Sequence, residues 1–194
     1  MAESLGSPPA TGTPTPTVPN SVTSFTAAFA FATVASTPNT PVINLSWTAP
    51  ATGATPTSYN VWRGTATGAE TLYASGVTPT NYQDTTVSNI TTYFYYVVAV
   101  NTQGSATSLS AASSEISQKT ACAAPTNLNL TIGDGQLSGT FTGSAGATGY
   151  NVYRKLQSAG SYSGPTLTNI QTTSFTLTGL TDGLAYNVYV TALD

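Results

Sequence analysis

The sequence predicts an all-β protein made of two tandem β-sandwiches. Three observations carry that prediction. The pentapeptide Tyr59-Asn60-Val61-Trp62-Arg63 returns as Tyr150-Asn151-Val152-Tyr153-Arg154. Apolar and polar residues alternate with period two in several short runs, the pattern of half-buried strands. The chain's 17 glycines and 12 prolines break those runs at short intervals and supply the turns.

Residues 1–20 hold Pro8, Pro9, Pro14, Pro16 and Pro19 among Thr, Gly and Ser. Proline removes donors and favours extended backbone, so this stretch reads as an arm. It is either free or laid on a neighbouring subunit. The first sandwich spans residues 21–119. Phe25, Ala27, Phe29 and Phe31 mark a strand over 22–36, because their spacing is two and not three or four. Pro38 and Pro41 put a loop at 36–41. Ile43, Leu45 and Trp47 face one way in a strand over 42–50. At 59–63, Tyr59, Val61 and Arg63 share one face, with Asn60 and Trp62 on the other. Short strands follow at 70–75 and 80–87. Residues 93–100 form the most apolar strand, with Tyr93, Tyr95, Val97 and Ala99 on one face and Phe94, Tyr96 and Val98 opposite. A last strand lies within 105–118, and 120–124 form a linker.

The pattern restarts in a second sandwich at 125–194. Gly133-Asp134-Gly135 is a hairpin signal, since Gly and Asp tolerate positive φ. Leu137, Gly139 and Phe141 then alternate as Ile43, Leu45 and Trp47 do. Trp47 to Phe141 is a shift of 94, and Tyr59 to Tyr150 is 91. Tyr82 to Phe175, Val87 to Leu180, Tyr93 to Tyr186, Val97 to Val190 and Ala99 to Ala192 are all 93. The shifts change only in expected loops, where insertions are tolerated, as in a duplicated domain.

Trp47 on the second strand, Tyr-x-Val-x-Arg on the third, and an apolar residue six places before a Tyr-rich strand form a recognisable set. The chain resembles the fibronectin type III family over about 21–119 and about 125–194. The resemblance implies two seven-stranded Greek-key sandwiches without a disulfide. It places Trp47, Tyr59, Val61, Val87, Tyr93, Tyr95, Val97 and Ala99 in one core, and Phe141, Tyr150, Val152, Leu180, Tyr186, Val188, Val190 and Ala192 in the other. The second copy lacks the seventh strand, because only Leu193 and Asp194 follow Ala192. Either the sequence is a piece of a longer protein, or it was traced in part, or another chain donates the strand.

Composition removes several functions. Charged residues are only 6% of the chain, and seven acids against four bases give a net charge of −3. Four scattered cations cannot form the basic stripe that nucleic acid demands, and anionic membranes are disfavoured for the same reason. No apolar run approaches the ~18–20 residues of a membrane span, so no membrane insertion is expected. The first residues lack a basic region followed by an apolar stretch, so no signal peptide is expected. With one cysteine, Cys122, no intramolecular disulfide can form. Cys122 is either a small packed residue or an intermolecular disulfide partner.

Histidine is absent, which removes the commonest general base and metal ligand. The carboxylates are scattered, so neither a glycosidase pair nor a calcium loop is visible. No catalytic residue, metal site or cofactor is expected. Asp84, with Leu177 at the matching place, reads as a surface or turn residue. Arg63 and Arg154 read as stems over a sheet edge with heads in water, or as ligand contacts. Asn44, Asn89 and Asn129 start glycosylation-type triplets that chance explains in so Asn- and Thr-rich a chain.

The candidate interaction surface is the outward aromatic face. It comprises Trp62, Phe94 and Tyr96 in the first copy and Tyr153 and Tyr189 in the second. Neighbouring strands lie ~4.8 Å apart, so these rings can form a cross-strand cluster. It either stabilises the sheet or contacts a partner. The expected function is a non-catalytic structural or adhesion module, first of a bacteriophage virion surface. The alternative is a spacer or glycan- or cell-wall-binding module of a secreted bacterial enzyme or adhesin. The expected partners are protein neighbours in a larger assembly, or cell-surface glycan.

Overall fold

The computed structural model describes residues 15–35 and 37–194. Among them, fourteen strands follow in order. The first sandwich holds β1 (Thr23–Val34), β2 (Thr37–Thr48), β3 (Ser58–Gly64), β4 (Thr71–Val77), β5 (Asn81–Asp84), β6 (Thr92–Gln103), β7 (Ala106–Leu109) and β8 (Ile116–Lys119). The second holds β9 (Thr126–Gly133), β10 (Gln136–Thr142), β11 (Gly149–Leu156), β12 (Leu167–Ile170), β13 (Ser174–Thr178) and β14 (Tyr186–Leu193). No helix occurs among the described residues. The first sandwich packs β1-β2-β5 on β4-β3-β6-β7, with β8 also paired to β6. The second packs β13-β10-β9 on β12-β11-β14. Every pairing is antiparallel, and strands distant in sequence are neighbours, as Greek-key connections require.

Two expected boundaries move. Of the loop expected at 36–41, residues 37–41 are instead the start of β2, with Pro41 paired to Phe31, and residue 36 lies outside the described residues. β5 reaches only Ile43–Ser46. Pro41 therefore sits where β2 has a single neighbour, and a missing donor there is tolerated. The last strand of 105–118 is split into β7 and β8. Between them, Ser110 Oγ accepts from Ala99 N at 2.9 Å and Ser113 Oγ from Val97 N at 3.0 Å. Two hydroxyls thus replace strand carbonyls, and the chain bends without orphaning β6 donors. At the other end, residues 15–20 join the first sandwich. Asn101 Nδ2 donates to Thr17 O, Ser108 Oγ to Pro16 O, and Pro19 bridges Gly53. The rest of the expected arm, 1–14, lies outside the described residues.

The inward faces form two separate cores. In the first, Trp47 meets Tyr59 and Phe25 edge-on, over Ile43, Leu45, Val61, Val97 and Ala99. In the second, Phe141 meets Tyr150 edge-on, with Val152, Phe175 and Leu177. Leu45 lies across from Tyr82, and Gly139 lies across from Phe175. The Phe175 ring fills the space over Gly139, where any Cβ would run into it. A large–large pair has become a small–large one, with the Phe175 ring lying over Gly139. The motif of an apolar residue six places before tyrosine also gains a cause. Tyr93 OH accepts from Ser88 N at 2.9 Å, and Tyr186 OH accepts from Thr181 N at 3.1 Å. Each tyrosine fixes the loop before its strand, as in a tyrosine corner.

Asp84 is not a surface or turn residue: it is 0% exposed. Arg63 Nη1 binds its Oδ2 at 2.7 Å. Tyr95 OH donates to Oδ2 at 2.8 Å, Tyr73 OH to Oδ1 at 2.9 Å and Thr86 N to Oδ1 at 3.0 Å. The Arg63 head is therefore not in water but over the Tyr73 ring at 3.8 Å. Burial alone raises the Asp84 pKa; the bonds from Arg63, Thr86, Tyr95 and Tyr73 outweigh it and hold the carboxyl below its ordinary value. Burial pushes Tyr73 up to about 12, so it stays a donor. In the second sandwich Leu177 takes the place of Asp84, and Arg154 donates to Thr178 O at 3.4 Å with its head 5.9 Å from the Tyr186 ring centre.

Removing one partner of a buried pair strands the other charge, at ~3–5 kcal/mol. Asp84→Leu should therefore destabilise the first sandwich by about that amount in urea denaturation. Asp84→Leu with Arg63→Met should recover most of it, since both charges leave together. The pH dependence follows from the lowered carboxyl. Its stabilising effect is complete above the unfolded value of ~3.9 and fades as pH falls through the lower folded value. Wild-type stability should drop over that acid range, and the double variant should lose that component of the drop.

Candidate interaction surface

The strand period that sends Tyr59 and Val61 inward sends Trp62 outward on β3. Trp62 lies across from Tyr96 on β6 and Leu72 on β4. The Trp62 and Tyr96 rings stack with centroids 5.4 Å apart and planes 15° apart. The second sandwich repeats this. Tyr153 lies across from Tyr189, with centroids 4.4 Å apart and planes 6° apart. Four of the five expected residues are therefore brought together as two matched pairs. Phe94 is not. Its neighbour on β3 is Gly64, which has no side chain to meet it.

Sequence reasoning missed five contributors. Tyr162 stands edge-on to Tyr189, with centroids 4.6 Å apart, and Lys155 Nζ lies 5.2 Å from the Tyr162 ring centre. Tyr162 sits in a loop without periodicity, so no pattern could place it. Around the first pair lie Leu72, exposed, and the carboxyls of Glu70 and Glu115. Glu115 accepts from Thr67 Oγ1 at 2.7 Å and Gly68 N at 3.0 Å. Its pKa is lowered, first by its hydrogen bond with Glu70, then by Thr67 and Gly68. Burial, then the charge of Glu70, raises Tyr96. Glu70 Oε1 and Trp62 Nε1 are buried and have no hydrogen-bond partner among the described residues.

The geometry constrains what these rings can do. Rings stacked across neighbouring strands stand on edge, with inner faces covered by each other. They form a ridge and not an open plate. Tyr162 presents its edge to Tyr189, adding bulk beside that ridge. Among the described residues, no group of three or more His, Cys, Asp or Glu is placed to hold a metal ion. Cys122 is buried, and that burial, then the charge of Asp194, raises its thiol pKa.

The inward and outward tryptophans should separate cleanly. Trp47→Ala empties a core position and should cost ~3–5 kcal/mol. Trp62→Ala loses a cross-strand aromatic pair and should cost about 1 kcal/mol. Urea denaturation of both variants checks the difference; a Trp62→Ala loss as large as that of Trp47→Ala would place Trp62 in the core.

No family model matches the chain. A stretch of 75 residues is 37% identical to an amylopullulanase of Thermoanaerobacterium thermosulfurigenes, covering 39% of this chain and 4% of that protein. The amylopullulanase of Thermoanaerobacterium saccharolyticum matches at 37% over 75 residues, or 6% of its length. The chain thus spans a small part of the curated relatives that it matches. A solved two-domain fibronectin type III segment of chicken tenascin superposes with a TM-score of 0.54 at 18% identity. That superposition covers 89% of this chain and 91% of the segment. The fold of this protein is that of two fibronectin type III-like domains in tandem.

Proposed function

We propose that the chain is a non-catalytic structural and adhesion module, working outside the cell as one part of a larger assembly. One observation carries this reading. A stretch of this chain recurs as 4% and 6% of two much longer amylopullulanases, as a module within a larger protein does. The fold supports it, because the side chains of both sandwich interiors pack into apolar cores. The near-uncharged surface supports it as well, since 6% charged residues serve neither nucleic acid nor an anionic membrane.

Its setting in this reading is a spacer or glycan-contacting accessory of a polysaccharide-processing enzyme, because the names of both relatives point to α-glucans. The surface that meets the partner is the aromatic ridge of Trp62 and Tyr96, with Tyr153 and Tyr189 as its counterpart. Ridge edges and the exposed Leu72 suit a protein neighbour; the outer ring faces suit a sugar. A second setting, the surface of a bacteriophage particle, draws on the Thr-rich, nearly uncharged composition.

Affinity electrophoresis through gels holding amylopectin or pullulan tests the glycan form. Retardation should be present in wild type and lost in Trp62→Ala, with the far-UV circular dichroism unchanged. No retardation at all would leave the spacer role and remove glycan contact. Co-sedimentation with virions would move the module to the second setting. Hydrolysis of pullulan by the purified chain would overturn the non-catalytic reading.

A further inference from the structure

Two domains joined by a short linker move independently by default, unless specific contacts hold them. Here the linker is tied at both ends. Thr120 N donates to Thr91 O at 3.0 Å. The Thr120 hydroxyl donates to Ser88 O at 2.7 Å and accepts from Thr91 N at 2.9 Å. Three residues on, Ser144 Oγ of the second sandwich donates to Ala123 O at 2.5 Å. Between these ties Cys122 is buried.

One backbone conformation singles out this joint. The turn Ser88-Asn89-Ile90-Thr91 leads into β6, and Ile90 stands at φ +53°. Left-handed backbone suits glycine or asparagine and strains a β-branched residue. A shift of 93 relates Val87 to Leu180 and Tyr93 to Tyr186, and it relates Ile90 to Gly183, at φ +79°. The second copy thus has the residue that the turn prefers, and the first copy does not. Such strain persists only where the surroundings over-determine it. They do so here. Ser88 N donates to Tyr93 OH on one flank of the turn, and Thr120 clasps Thr91 on the other.

What the strained isoleucine reaches is the second sandwich. Its Cδ1 lies 2.6 Å from where a Cβ on Gly146 would stand. Gly146 is in the loop between β10 and β11 and has φ +79°. Glycine is required there twice, by the backbone and by the isoleucine. That loop is held as well: Ser144 N donates to Tyr150 OH, and Ala147 N to Ser144 O, each at 3.2 Å. A projecting side chain on one pinned loop meets a gap on another.

We propose that Ile90 and Gly146 form a fixed joint, which sets the two sandwiches at one angle and makes the chain a rigid two-part unit. Thr120, Tyr93 and Tyr150 act through it by holding its two loops. The Trp62–Tyr96 and Tyr153–Tyr189 ridges are then presented in one fixed relation. Lys119 and Asp194 also span the joint, 3.1 Å apart, but both are partly in water, where an ion pair contributes little. The inference holds whichever larger assembly the module serves.

Residual dipolar couplings of the whole 194-residue chain test it, because they report the orientation of each sandwich separately. Wild type should give both sandwiches one alignment tensor of equal magnitude, unchanged in about 0.5 M salt, which screens the exposed ion pair. Ile90→Gly removes the projecting side chain, and Ile90→Asn replaces it with one that the turn tolerates. In both variants the couplings of each sandwich should still fit its own fold. The two alignment magnitudes should then differ by about twofold or more, as for domains on a free linker. Unequal tensors in wild type would overturn the proposal. So would a variant that stays aligned like wild type. Loosening of wild type by salt alone would assign the joint to Lys119 and Asp194, and the proposal would fail.

Discussion

Both sandwiches depend on one strand pair, β3 with β6 in the first and β11 with β14 in the second. The constraint is the period of two. Tyr59 and Val61 must face the core across from Ala99 and Val97. Trp62 must then face outward across from Tyr96. A slip of one residue would turn Trp62 into the core and Val61 out of it. Register is therefore held from both sides, by packing within and by ring stacking without. That double hold explains the recurring pentapeptide: its alternate positions answer to different faces of the same sheet, and the outward one accepts Trp or Tyr because either ring stacks.

Around that pair the copies have diverged by compensation. Asp84 needs Arg63, Tyr73, Tyr95 and Thr86 to be tolerable at 0% exposure. Val188 stands where Tyr95 stood, and Leu177 where Asp84 stood. The second copy thus lacks the anion together with one of its donors, and Arg154 turns to a backbone carbonyl. The exchange of Leu45 and Tyr82 for Gly139 and Phe175 follows the same logic, volume moving from one strand to its neighbour. An apolar replacement of a buried pair is often neutral or stabilising, so nothing in the fold required the ion pair to persist.

Much of this was legible in the sequence because it is local. Alternation gave the inward and outward faces, and the repeat gave two sandwiches; that the tyrosine six places after an apolar residue anchors a loop emerged only from its hydroxyl contacts. Four of five surface aromatics pair as expected. What was not legible depends on partners far away. Asp84 looks like a turn residue until Arg63 arrives from β3 and Tyr95 from β6. A signal was present, for Asp84 continues the inward parity of Tyr82, and the matching Leu177 is an inward apolar residue. The split between β7 and β8 rests on Ser110 and Ser113 replacing strand carbonyls, which no periodicity announces. Phe94 keeps the right parity, yet faces Gly64, a matter of register and not of pattern.

The same differences show in how completely each core is covered. The first has a larger aromatic core, a buried ion pair and a last strand that closes its edge. Thr120 ties that closing end down, donating to Ser88 O at 2.7 Å and accepting from Thr91 N at 2.9 Å. The second has a smaller core, no counterpart of that buried ion pair among the described residues, and leaves Val188, Val190 and Ala192 half-covered. Apolar area left in water forfeits ~25 cal/mol for each Å². Unpaired strand groups lose little in water, but they gain nothing either. Among the described residues, Val188, Val190 and Ala192 thus hold apolar area that further burial would stabilise, while their counterparts Tyr95, Val97 and Ala99 are already 0% exposed.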